Sequence, residues 1–224
     1  MFASLIIAAT MAATPYPTMA PLRAYLMSSA AEIALARSAA PASVSKAAQV
    51  LVLTPSGYKV AVKGTNGFVC MVERSWANDT SSAEFWNPKV RSPNCFNAPA
   101  VRTFLPIDLM KTELVLAGKT PQQIGVALAS AFDSRTLAPI APGAMCYMMS
   151  PQQYLNDDGK RWHPHVMIFM PGTTPASWGE NLTASPVVAA HDAQERLTIF
   201  MIPVTRWSDG TLAPPFPSHY HMTM

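Results

Sequence analysis

Apolar and polar residues alternate along this chain in rhythms that change several times, and each change marks an element. From Pro21 to Ser38 the apolar positions Leu22, Tyr25, Leu26 and Ile33 fall near one face of a helix, with Pro21 suited to a first turn and Pro41 following the end. A strand pair comes next: Gln49 to Leu53 is a short apolar run, ended by the turn signal Thr54-Pro55-Ser56-Gly57. Tyr58 to Lys63 alternates with a period of two, placing Tyr58, Val60 and Val62 on one face and Lys59 and Lys63 on the other. Gly64-Thr65-Asn66-Gly67 separates that run from Phe68-Val-Cys-Met-Val-Glu-Arg74, and Asn-Gly between two strand-like runs predicts a tight hairpin. In its second strand Phe68, Cys70 and Val72 share one face, with Val69, Met71 and Glu73 on the other.

Residues 77–100 break the pattern. They read as a long irregular loop, polar but carrying Phe85, Trp86 and Phe96, which implies a loop packed down on the domain. Helical spacing returns from Pro106 to Ala117, with Ile107, Met110 and Leu114 as the apolar positions and Gly118 as the stop. Thr120-Pro121-Gln122-Gln123 matches a capping box with proline at the first helical position, and Ile124, Leu128 and Ala131 carry the buried face of the helix it opens. Three short β-rich runs close the chain, at 144–150, 166–170 and 197–204, followed by a Pro- and His-rich tail from Pro214 to Met224.

The order (helix, hairpin, two helices, three strands) predicts an α+β domain. Its core is a five-stranded antiparallel sheet with the PAS-like or profilin-like strand order and an N-terminal helix in front. Such folds often hold a small ligand between sheet and helices, although fold alone does not assign function.

Composition narrows the function classes. Half of the 224 residues are apolar and 13% are charged, so core material is ample. The formal charge is +3 and the Lys and Arg residues are scattered, which argues against nucleic acid as a partner. Twenty-one prolines against 10 glycines imply many rigid connections, and the 14 methionines read as flexible core filler, with soft-metal binding as the rival use.

Phe2 to Ala13 is an apolar stretch of signal-peptide length, too short to span a bilayer, and either Ala13 or Ala20 can end the leader. The domain plan is therefore a leader over 1–20, a single α+β domain over 21–213 and a tail over 214–224. The mature protein is expected to be secreted or periplasmic, with no membrane span. The three cysteines fit an oxidising compartment: Cys70 with Cys95 would pin the long loop to the sheet, and Cys70 with Cys146 is the competing pair.

Several runs taken together resemble an uncharacterised family of exported bacterial proteins: residues 32–41 (EIALARSAAP), 57–76 (GYKVAVKGTNGFVCMVERSW), 84–97 (EFWNPKVRSPNCFN), 147–157 (YMMSPQQYLND), 162–165 (WHPH) and 207–211 (WSDGT). The resemblance implies export and a single domain. It brings no catalytic residue, substrate or cofactor with it.

The remaining chemistry is histidine. Four of the five lie in His-x-His units, His163-Pro-His165 and His219-Tyr-His221, and the fifth is His191. On a strand, His163 and His165 would point the same way. With His191 or Asp192 they would form an open site for zinc or copper, able to activate water. The competing reading has both imidazoles bonding nearby backbone. Cys70, in mid-strand between Val69 and Met71, lacks the surroundings of a nucleophile.

Two function classes follow. The first is an exported small-molecule binding or sensing module with no cofactor, its pocket lined by Met and aromatic side chains, with Trp76, Trp86, Tyr154 and Trp162 at the strand ends as ligand contacts. The second is a metal-dependent hydrolase or oxidoreductase on the His-x-His site. A third use, as an interaction protein, would make loop 77–100 its contact surface.

Overall fold

The computed structural model describes residues 15–215. Helices are α1 (Ser29–Arg37), α2 (Ala42–Ser45), α3 (Ala98–Thr103), α4 (Leu105–Leu116) and α5 (Pro121–Asp133). Strands are β1 (Gln49–Thr54), β2 (Gly57–Val62), β3 (Val69–Glu73), β4 (Ser92–Phe96), β5 (Met145–Met148), β6 (His165–Pro171), β7 (Ala189–Asp192) and β8 (Leu197–Pro203). They form one eight-stranded open sheet in the order β2-β1-β3-β4-β5-β6-β8-β7. The α+β class holds, but the sheet has eight strands rather than five and is mixed: β1 runs parallel to β3, and every other pair is antiparallel. The PAS-like or profilin-like order is therefore corrected.

The main error is local. The runs on either side of Gly64-Thr65-Asn66-Gly67 do not pair, because β1 lies between them. Instead of turning back, this segment crosses the start of β1. Thr65 N donates to Ala47 O (2.8 Å) and Asn66 Nδ2 to Val44 O (2.7 Å). A Cβ at Gly64 would overlap the backbone of Ala48 and Gln49, so glycine is required by close approach. Only Gly67 of the Asn-Gly pair has positive φ (+78°), whereas the tight hairpin turn needs it at both residues. The strand pair expected on either side of Thr54–Gly57 does form, as the β1–β2 hairpin.

Three further boundaries move. The N-terminal helix is broken: a 3₁₀ turn covers Leu22–Ala24, and α1 starts later, with the Ser28 hydroxyl accepting from Ala31 N. The loop at 77–100 contains a central strand, β4, hidden by Pro93 and Asn94, and its aromatics Phe85, Trp86 and Phe96 are buried in the core. A further strand, β7, lies outside the predicted runs: its sequence AAHD has no β-branched or aromatic residue to mark it. The capping box at Thr120 and Gln123 is present, with both reciprocal bonds.

Both faces of the sheet are covered around β3. Cys70, Val72 and Cys95 pack with Leu35 and Ala36 of α1, while Val69, Met71 and Phe96 pack with Phe104, Ile107, Ile124 and Leu128 of α3–α5. This is the face assignment read from the alternation at 68–73. Phe104 stacks on Phe169 of β6 at 3.9 Å between ring centroids. Cys70 and Cys95 are cross-strand partners joined by a disulfide, and the competing Cys146 is a buried thiol on the opposite face. Among the described residues no helix is long and apolar enough to cross a membrane. Residues 1–14 of the leader expected over 1–20, and residues 216–224 of the expected tail, including His219 and His221, lie outside the described residues.

Candidate functional site

The histidines do not converge. β6 begins at His165, whose Nδ1 bonds the His163 carbonyl (2.7 Å), the backbone bond of the competing reading, with Trp162 edge-on to its ring. Burial pushes its pKa down to about 4. His191 sits on β7 opposite Thr198 of β8, whereas His165 is opposite Pro203. The pairing puts the two imidazoles on opposite faces of the sheet, roughly 16 Å apart along β8. Among the described residues no three His, Cys, Asp or Glu side chains group as metal ligands.

The four aromatic contacts are also dispersed. Trp76 is buried and its Nε1 donates to Thr112 Oγ1 (2.9 Å), and Trp86 packs edge-on against Phe85. Tyr154 Oη donates to Asp157 (2.5 Å), and Trp162 stands over His165. None of the four lines the cleft at Glu195 described below. The methionines Met71, Met148, Met149 and Met201 are buried, in keeping with core filling.

The concentration of chemistry lies elsewhere, on the helix side of the sheet beneath α4. Asp108, Lys111 and Thr112 occupy the inward face of this helix, all at most 3% exposed. Glu73 at the end of β3 faces them, its Oε2 accepting from Asn94 Nδ2 (2.6 Å) and Ser92 Oγ (3.4 Å) of β4. Asp108 lies close enough to Glu73 for each carboxyl to shift the other's titration, and its buried Oδ2 meets no hydrogen-bond donor. A proton on either carboxyl would supply the donor that two carboxylates lack. Burial, above all, pushes Glu73 up to about 7, and burial together with the Glu73 charge raises Asp108 well above the usual carboxylate range. The Cys146 thiol donates to Asn94 Oδ1 (3.5 Å) and is itself pushed up by burial.

Lys111 Nζ continues the array. It donates to Glu195 Oε1 (2.5 Å), Ala77 O (2.9 Å) and Asn78 O (3.4 Å). Burial works against the ammonium, but Glu195, Asp108 and Asp192 outweigh it and raise its pKa. Glu195, in the β7–β8 turn, is pushed up to about 7 because burial exceeds the attraction of Lys111. One ammonium thus serves several buried carboxyls, and protonation relieves the surplus.

The array reaches the surface at Glu195. Phe132 of α5, Leu137, Pro139, Ile140 and Pro171 of β6 wall a cleft of about 210 Å³, and Glu195 and Arg196 close it. Arg196 is held by Asp133 (2.6 Å) and lies over the Phe132 ring. The sequence reading chose Ile107, Met110 and Leu114 as the inward positions of α4 and so missed this face. Its signal was present: Asp108, Lys111, Thr112 and Val115 fall at i, i+3, i+4 and i+7 in a chain with few charges.

No family model, curated protein or solved structure matches the chain.

Proposed function

We propose that this chain is an exported binding or sensing module for a small, largely apolar molecule, taken up in the cleft between the end of α5 and the β6 and β8 strand ends. The observation that carries the reading is Glu195, which closes the cleft and at the same time holds Lys111 in the buried array. Apolar walls with one or two placed polar groups are the usual make-up of a small-molecule site. The cleft is below the roughly 300–1,000 Å³ of drug-sized sites, so the ligand is a compact one whose single polar group meets Glu195 or Arg196. Export is supported by the apolar leader and by a disulfide compatible with an extracytoplasmic location.

The test is a fragment screen by ligand-observed NMR on the wild type and on Ile140→Trp, which fills the cleft. Binders lost in the variant support the reading. The absence of any binder, or binders that the variant retains, removes it.

A further inference from the structure

Ala13 or Ala20 can end the leader, no small-x-small site is clearly best, and the residues alone do not choose between them. The fold does. Residues 15–20 are built into it: Tyr16 Oη donates to Asp157 Oδ2 (2.5 Å), Lys89 lies over the Tyr16 ring, and Tyr16, Met19 and Ala20 pack against the main core. Ala20 N donates to Tyr25 Oη (3.2 Å), and that fully buried tyrosine donates in turn to Trp86 O (2.8 Å).

Asp157 is the anchor. It also accepts from Tyr154 Oη (2.5 Å) and Lys89 Nζ (2.9 Å), and these bonds, together with that from Tyr16, hold its carboxyl well below the usual range. The segment therefore straps the N-terminus to the loop between β5 and β6. The second site has a further obstacle: the Ala20–Pro21 bond is a tertiary amide whose leaving nitrogen belongs to a ring.

We propose that a leader peptidase cuts this chain upstream of Pro15, in the Ala12-Ala13-Thr14 stretch, and that the mature protein keeps residues 15–20 as a structural strap. In the cut, water adds across the peptide bond and the C–N bond breaks. The leader departs with a new carboxylate, and the mature chain begins with a free amine. The inference rests on the export reading and revises the extent of the leader.

The experiment is intact-mass measurement and N-terminal sequencing of the full chain exported from a bacterial host. A mature N-terminus at Ala13 or Thr14 is expected. One at Pro21, or anywhere within 16–20, overturns the inference and leaves export standing; an uncut chain retained in the cytoplasm overturns both. As a second measurement, chains made to begin at Thr14 and at Pro21 are compared by thermal unfolding. The shorter should melt lower by about 3 °C or more. Asp157→Asn should lower the Tm more in the longer chain than in the shorter. Equal melting of the two chains overturns the strap.

Discussion

Glu32 of α1 and Arg74, just past β3, form an ion pair at 2.8 Å in which both side chains are fully buried. Its position follows from the sheet. The parallel β1–β3 ladder has only two residue pairs, Gln49 with Val69 and Val50 with Cys70, before the strands part. Beyond that point side chains take over from the ladder. Glu32 Oε1 accepts from Leu53 N (3.0 Å), while Arg74 Nη1 and Tyr58 Oη both donate to Val72 O. Arg74 Nε also holds Tyr25 O (2.7 Å). The pair plugs a split that would otherwise leave buried backbone groups unpaired.

Arg74→Met should therefore cost about 3–5 kcal/mol, because it strands Glu32 in the core. Glu32→Leu/Arg74→Met should recover part of that loss, since two apolar side chains need no charge partner, though Leu53 N stays unpaired. Urea denaturation of the single and double variants measures the difference. A single variant within 0.5 kcal/mol of wild type, on the scale of surface substitutions, would contradict the buried pairing.

The Cys70–Cys95 disulfide closes a segment with a sequence separation of 25. On the loop-entropy account its loss removes about 3 kcal/mol. Cys70→Ala/Cys95→Ala should lower the unfolding free energy in urea by that amount and raise the slope, since the denatured chain without the cross-link is less compact. Cys146 is buried, so the native wild type should show no rapidly reacting thiol toward a bulky maleimide and one after unfolding without reductant.

How far the residues alone disclose this fold is clearest at Gly64. Periodicity placed β2 and β3 and assigned the faces of β3, because burial on one side or both is written into each strand. Pairing partners are not: Asn-Gly turn chemistry is local, and the insertion of β1 between the two runs is a contact made across the chain. β4 was illegible because Pro93 and Asn94 are poor strand formers whose place is set by neighbours on either side. The same limit hid the candidate site, where Glu73, Asp108 and Glu195 come from three separate elements. Gly64→Ala tests the crossing. Added bulk against rigid backbone should cost about 1–3 kcal/mol, whereas a hairpin turn would tolerate alanine at this position. Thermal unfolding of Gly64→Ala beside Gly118→Ala, which meets open space but carries positive φ (+74°), separates steric from dihedral cost.

The buried carboxyls give stability a pH dependence with a defined sign. Glu73 and Glu195 are held protonated up to about 7 in the folded protein, against about 4.5 when unfolded. Between those values the folded state binds more protons, so their contribution is complete below about pH 4.5 and is lost as pH rises through about 7. His165 acts in the opposite direction. Its folded pKa of about 4 lies below its unfolded value near 6.5, so its contribution is present above pH 6.5 and is lost as pH falls through about 4. Two carboxyls outweigh one imidazole, and unfolding free energy should decline from pH 5 to pH 7. Glu73→Gln keeps a neutral hydrogen-bonding side chain beside Asn94 and Asp108 and removes one titration, so it should flatten that decline. Urea titrations at half-unit steps from pH 4 to pH 8 measure both slopes. A wild-type profile that rises across this window, or a variant with an unchanged slope, would show that Glu73 is ionised in the core and that burial does not raise its pKa.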